Sequence, residues 1–512
     1  MDLQRTNLRS NQQAMSNLNT LLQKGNAQLE KQYDAELRKE PNQIEVLRYT
    51  MNNEPTPKID PRIRENLRLI GAHLARARTQ GESPTIRMYS KIRGDFLVNS
   101  LHNSSLSCLD AAKKKPAGQM YNVRDNPIGM YALAMELMFA TEFDNITALF
   151  PEDQWGNILN LTCQGAIQEV SKTIRELGST IRSNMSTDSY FAYEIIEVMK
   201  GVSDNLESRT QDLKPALSAA VKPARDAGKA SIIDFQEETR RKVQALVGLP
   251  IDGASVDLTA QTMARLQKMA EFISPISSVM LSIGDKGWKP AAPATGSTTT
   301  IPSLNSFDPT KSGETIFANY CADIVNLLLN GLDQRAKTVL KKHVQGIFIA
   351  NNAIVVQKMI IGTSLGPYLS TSIPEKYIKD GVKEYLDSWW EAARIVMDQQ
   401  VSKASRGRPV SGSAGSESAA IVKAMTSKEK DVMKKKFSDF GTAFDDLVAK
   451  HKALSLENEI NQECVKAARD VVEKMYARFY DRYHEVDKGK GKHVKYDKAG
   501  IARVFANMEM PR

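Results

Sequence analysis

Val465-Lys-Ala-Ala468-Arg-Asp-Val-Val472-Glu-Lys-Met475-Tyr-Ala-Arg-Phe479 decides the fold class. Its apolar positions Val465, Ala468, Val472, Met475 and Phe479 fall at alternating steps of three and four, which line one face of an α-helix. Upstream, Met433, Phe437, Phe440, Phe444, Leu447 and Val448 repeat the pattern. They follow Thr426-Ser-Lys-Glu429, a capping-box start in which hydroxyl and carboxylate each take a free backbone N–H of the first turn. Ile316, Phe317, Tyr320, Ile324, Leu327 and Leu328 form another apolar face. Residues 158–177, 191–199, 232–246 and 263–281 carry the same period, and 127–150 is apolar enough to predict a buried helix. After Pro55, Pro57 and Pro61, residues 63–77 read as an Arg-studded helix. Leu18, Leu21, Leu22 and Leu29 give a thin stripe resembling a coiled-coil seam. No fixed-period repeat occurs. The expected class is all-α: antiparallel helical bundles in series.

Two stretches interrupt the helical pattern. Residues 284–313 hold Pro290, Pro293, Pro302 and Pro309 among Ser, Thr and Gly, and 402–419 is rich in Ser and Gly. Neither composition can bury enough apolar area to order itself. The expected organisation is the end of a coiled coil with a Pro-rich connection (1–60), a first bundle (61–150), a second (151–283), a disordered linker (284–313), a third bundle (314–401), a disordered loop (402–419) and a C-terminal bundle (420–512). A chain of 512 residues exceeds what one compact core holds.

The net charge of +9, from 69 basic and 60 acidic residues, is a mild excess on a heavily charged chain. Cys108, Cys163, Cys321 and Cys464 lie far apart with no C-x-x-C pair, which predicts buried thiols in a reducing compartment. Met1 to Ser10 has no apolar run of a secretory signal. The most apolar window, 344–362, carries Asn351, Asn352, Gln357 and Lys358, which argues against a membrane span. A cytoplasmic protein with peripheral membrane contact is expected. Phosphate-loop, zinc-helix and nucleophile-elbow motifs are absent from the sequence. Thus no catalytic residue, metal ligand or cofactor is expected, and enzyme activity would have to rest on residues that sequence alone cannot assemble.

The charge is informative where it clusters. Lys488-Gly-Lys490-Gly-Lys492-His-Val-Lys495 places four lysines and no acid in a Gly-broken tip. Glycine leaves neighbouring ammonium groups unshielded, so the tip suits a large, flat, negative surface. Lys428, Lys430, Lys434, Lys435 and Lys436 lie on or near the polar face opposite Phe437 and Phe440, and His451 and Lys452 come at the far end of that helix. If both clusters point the same way, each lysine near an anionic leaflet contributes roughly 1 kcal/mol, so four to six give reversible, salt-sensitive docking. RNA competes for the same charge, but single-strand binders interleave stacking aromatics with cations. Here Tyr476, Phe479 and Tyr480 are expected to pack into the core. Membrane phosphates are favoured; the alternative is a helical scaffold binding proteins or RNA without a lipid role.

Several stretches resemble one family: Tyr89-Ser-Lys-Ile-Arg-Gly-Asp-Phe-Leu-Val-Asn-Ser-Leu101, Ile347-Phe-Ile-Ala-Asn-Asn352, Phe437-Ser-Asp-Phe-Gly-Thr-Ala-Phe-Asp-Asp-Leu447 and, most strongly, 476–496, whose basic tip ends in Lys495-Tyr496 before a terminal helix. From about Pro61 onward the sequence resembles the seventy-kilodalton subunit of the exocyst, the complex that tethers secretory vesicles to the plasma membrane, fungal members in particular. The resemblance implies an elongated rod of serial antiparallel helical bundles, as in other tethering-complex subunits. It also implies a C-terminal bundle that binds phosphatidylinositol 4,5-bisphosphate through tip lysines matching Lys488, Lys492 and Lys495. Lys490 is an added basic group at that tip, and Lys434, Lys435 and Lys436 are carried over as a flanking set. Lys452 completes the candidate lipid-binding residues. Other exocyst subunits and Rho-type GTPases are the implied protein partners. The implied location is the plasma membrane at sites of polarised secretion: a bud tip, bud neck or hyphal tip in a fungus. Family chains usually start with a longer coiled coil, part of which is expected to be missing here.

Overall fold

The computed structural model describes residues 9–52, 54–77, 83–116, 118–289, 312–397, 414–488 and 491–510. Among them there are eighteen α-helices and no strand: α1 (Arg9–Leu37), α2 (Val46–Asn52), α3 (Pro61–Ala77), α4 (Pro84–Lys114), α5 (Ile128–Leu149), α6 (Trp155–Ser183), α7 (Met185–Thr210), α8 (Lys214–Ala220), α9 (Lys222–Gln244), α10 (Asp257–Ala270), α11 (Ile273–Ile283), α12 (Gly313–Val339), α13 (Lys342–Ile360), α14 (Ser372–Ile395), α15 (Ala414–Ala424), α16 (Ser427–Lys452), α17 (Asn458–Tyr483) and α18 (Lys498–Glu509). None of these helices is long and apolar enough to cross a membrane. The chain divides into two compact units, Met1–Phe235 with Phe272–Thr299, and Gln236–Glu271 with Thr300–Arg512.

In the first unit α4, α5, α6 and α7 pack together. Gly94 lets α4 approach α6 until an added Cβ would stand 3.0 Å from the Thr162 carbonyl oxygen. Inside this core Ser105 pairs with Thr173 at 2.7 Å, and Arg93 on α4 with Glu142 on α5. All four cysteines are buried and free, and burial raises their thiols, Cys108 to about 12. The pattern over 263–281 reads as one run, but the helix breaks at Glu271–Phe272. Phe272 leaves helical geometry to bury its ring beside Tyr190 and Tyr193, at 6.2 and 6.0 Å. Pro275 then sits in the first turn of α11, where its missing N–H costs nothing.

In the second unit α13 is buried almost all round, the mark of a central helix. Asn351 and Asn352 stay inside because both are satisfied. Asn351 Nδ2 donates to the carbonyls of Gly253 and Ser455, while Asn352 Oδ1 accepts from Val256 N and Thr259 Oγ1. α13 and α14 cross at Gly346 and Gly381. A Cβ on Gly346 would lie 2.3 Å from the Gly381 carbonyl oxygen, backbone that cannot swing aside. Gly346→Ala is therefore expected to force the two helices apart and cost about 3 kcal/mol, the upper part of the usual overpacking range. Gly129→Ala, with nothing within 4 Å, should be neutral or stabilising. Urea midpoints of both variants check this, and equal midpoints would contradict the close crossing.

Most of the 284–313 segment and residues 402–413 lie outside the described residues. At their margins the chain is ordered. Trp288 is buried, Ser312 caps α12 by accepting from Thr315 N at 3.2 Å, and α15 starts at Ala414. Ser418, within the sequence expected to be a disordered loop, is buried and donates to the Arg482 carbonyl at 3.2 Å. In α1 the stripe residues Leu18, Leu21 and Leu22 are exposed, whereas Tyr33 and Leu37 near its end are buried.

Candidate functional site

The C-terminal hairpin positions the lysines. α16 begins with the expected capping box, Thr426 Oγ1 accepting from Glu429 N and Glu429 Oε2 from Thr426 N. Its apolar face then meets that of α17. Phe437 packs on Phe479 at 4.7 Å and Phe440 stacks on Tyr476 at 4.7 Å, while Phe444 meets Phe505 of α18 at 5.7 Å. The α16–α17 pairings run in opposite directions along the two helices, so the start of α16 and the end of α17 share one end of the hairpin. Lys436 at that end hydrogen-bonds the Met397 carbonyl at 3.1 Å and lies 5.8 Å from the Phe479 ring centroid. Lys435 is exposed, and Lys434 is tied to Asp431 at 3.1 Å.

After α17 a 3₁₀ turn, His484–Asp487, leads into the tip. Asp487 is buried, and its Oδ2 accepts from the backbone N–H of His493 at 3.0 Å and of Val494 at 3.3 Å, closing the tip into a loop. Lys488 takes the left-handed conformation (φ 47°), as does Gly491 (φ 63°), which allows the tight reversal. Lys488 and Lys492 are exposed and form no ion pair among the described residues. Lys490 lies outside the described residues.

Returning from the tip, the chain is clasped to α16. Tyr496 donates from its hydroxyl to Asp445 Oδ1 at 2.5 Å, and its carbonyl accepts from the Tyr476 hydroxyl at 2.6 Å. Lys495 pairs with the same Asp445, whose hydrogen bond raises the lysine above its ordinary value. Its charge is thus offset by a carboxylate, a departure from a tip of free ammonium groups. Asp445 lies nine residues beyond Lys436, roughly 14 Å along the helix axis. Lys452 ends α16, roughly 24 Å from Lys436 on the same axis. Five of the eight candidates therefore gather at one end: Lys434, Lys435, Lys436, Lys488 and Lys492. Lys495 sits part-way back and Lys452 belongs to the other end.

Sequence reasoning missed Asp487, Asp445 and the Tyr496 clasp. An acid immediately before a Gly-rich reversal is a signal for the first; the Asp445 contacts join residues some fifty apart and leave none. Burial works to raise the Asp487 carboxyl, but the N–H groups of His493, Val494 and Lys492 outweigh it and hold it below the ordinary carboxylate value. A carboxylate depressed on folding stabilises above its unfolded value, about 3.9, and that contribution is lost as pH falls through the lower folded value. The loop should stay closed at neutral pH and loosen only below about pH 4. At neutral pH, Asp487→Ala is expected to speed hydrogen exchange at His493 and Val494 by roughly ten- to a hundredfold, the worth of hydrogen bonds to a charged acceptor. Unchanged exchange would remove Asp487 from this role.

Three comparisons bear on this arrangement. Residues 125–507 match the family model for the C-terminal part of the Exo70 protein of the exocyst complex. The Exocyst complex protein exo70 of Neurospora crassa is 42% identical over 99% of this chain and 81% of its own. The corresponding Gibberella zeae protein is 42% identical over 99% of this chain and 80% of its own. A solved structure of Saccharomyces cerevisiae Exo70 superposes with a TM-score of 0.73 at 18% identity, covering 99% of this chain and 90% of that one, a likeness of fold. With the match spanning nearly every helix of both units, the chain belongs to the Exo70 family of exocyst subunits.

Proposed function

We propose that this exocyst subunit docks on phosphatidylinositol 4,5-bisphosphate in the inner leaflet of the plasma membrane through Lys488 and Lys492, flanked by Lys434, Lys435 and Lys436. Lys490 completes the tip charge by sequence, and Lys495 and Lys434 contribute less because Asp445 and Asp431 already partner them. Lys452 is left out, being at the opposite end of α16. Family membership supplies the wider role: a non-enzymatic subunit of a vesicle-tethering complex in exocytosis, whose partners are the other exocyst subunits. Rho-type GTPase binding, and peripheral localisation at bud or hyphal tips, extend the proposal on the family resemblance alone.

The observation that carries the lipid reading is the convergence of two lysine sets, distant in sequence, at one end of the α16–α17 hairpin. A polyanionic surface at that end would lie near both. Against the RNA alternative, Tyr476 and Phe479 are each only 2% exposed; Tyr480, expected in the core, is half-buried and stacked on the His484 ring at 4.6 Å.

Pelleting with phosphatidylcholine vesicles, with and without the bisphosphate lipid, tests the proposal. Lys488, Lys492 and Lys495 changed together to alanine should abolish pelleting with unaltered helical circular dichroism; equal pelleting rejects it. A salt titration with RNA as competitor separates the alternatives, because only the true ligand holds near physiological ionic strength.

A further inference from the structure

A groove of about 530 Å³ lies between α8, α9 and α11 of the first unit, a volume in the range of small-molecule sites. Lys222, Arg225, Asp226 and Lys229 line it from α9 at i, i+3, i+4 and i+7, the spacing of one helix face. Ser278 and Ser282, one turn apart on α11, and Ser218 on α8 add three hydroxyls. Three cations thus face one carboxylate. Arg225 is held in place: its Nη1 donates to Ser218 Oγ at 3.1 Å. Its Nε is sealed from solvent with no acceptor among the described residues. That N–H is closed to an entering ligand as well, so an anion would meet the rest of the Arg225 fork, which lines the groove beside Lys222 and Lys229.

We propose that this groove binds a small molecule carrying two or more phosphate groups. A fixed guanidinium fork flanked by ammonium groups and hydroxyls matches phosphate oxygens. A space this size with a net positive lining holds more than one phosphate. The site uses none of the α16 or tip lysines and stands whether or not those bind lipid. The phosphates could arrive on a free polyol or on a lipid headgroup, and the test separates the two.

Isothermal titration of the full chain with inositol hexakisphosphate, at near-physiological salt, should show a binding event that survives in Lys488→Glu/Lys492→Glu. In that background Arg225→Ala should weaken it by roughly tenfold or more, the worth of one charge-assisted contact, and Lys222→Glu/Lys229→Glu should abolish it. The lysine pair keeps the test decisive if the Arg225 variant fails to fold, since neither lysine forms an ion pair among the described residues. Phosphatidylcholine vesicles containing phosphatidylinositol bisphosphate, pelleted with the same tip variant, form the second arm. Residual pelleting that Arg225→Ala removes assigns the groove to a headgroup; soluble binding without such pelleting assigns it to a free phosphorylated ligand. Absence of the event in the tip variant, or groove variants that bind as their parent does, overturns the proposal.

Discussion

Arg93→Ala is expected to lower the stability of the first unit by about 3–5 kcal/mol, because it strands the Glu142 carboxylate in the core. Arg93 and Glu142 are 3% and 1% exposed, so solvent cannot take over either charge. The guanidinium donates from Nε to both carboxylate oxygens at 3.1 Å and from Nη2 to Oε2 at 2.7 Å, and the Tyr89 hydroxyl donates to Oε1 at 2.5 Å. Burial works against the Arg93 charge, but Glu142 outweighs it and the guanidinium titrates above its ordinary value. The intact cluster need not be strongly stabilising, since attraction is set against desolvation of both ions. Breaking it is another matter, since removing one partner leaves only the desolvation cost. Removing all three polar groups together, as Arg93→Met, Glu142→Leu and Tyr89→Phe, should restore most of the loss. Urea unfolding followed by circular dichroism checks both variants. A loss under about 1 kcal/mol for Arg93→Ala would mean that the site admits water and behaves as an exposed pair does.

Tyr89 and Arg93 fall in one of the stretches that carried the family resemblance, yet nothing local to them names Glu142 as their partner 49 residues beyond Arg93. Periodicity reports which face of a helix is apolar, so α16 and α17 were legible from Phe437, Phe440, Phe444, Val465, Val472 and Phe479, and the capping box fixed where α16 starts. It does not report which faces meet. Asp445 reads as one more acid on a polar face until the chain returns with Lys495 and Tyr496. Composition failed differently at Ser418, where a Ser/Gly-rich context argues for disorder while contact with the Arg482 carbonyl favours helix. Phe272 ended a periodic run for the same reason, a tertiary ring contact prevailing over local preference. The gathering of two lysine sets was legible only as a condition, that both point the same way, because hairpin pairing sets it.

Charge reversal at Lys488 and Lys492 should produce the largest loss of vesicle binding of any double variant outside the helical core. At roughly 1 kcal/mol per lysine near an anionic leaflet, replacing two attractions by two repulsions amounts to about 4 kcal/mol, on the order of a thousandfold in affinity. Position should then rank the single variants. Lys488→Ala removes a charge that no carboxylate offsets, whereas Lys495→Ala also releases Asp445, so its net effect on binding should be smaller. Asp445→Asn should strengthen binding, because the Lys495 charge is no longer countered while the Tyr496 hydroxyl keeps an acceptor. Lys452→Glu tests geometry, sitting roughly 24 Å from Lys436 along α16 and well beyond a Debye length of about 8 Å at physiological salt. It should leave pelleting nearly unchanged. If Lys452→Glu weakened binding as much as Lys488→Glu, overall charge rather than the gathered end of the hairpin would be acting. Raising the salt would then erase every variant alike, whereas a localised site keeps the ranking while all affinities fall.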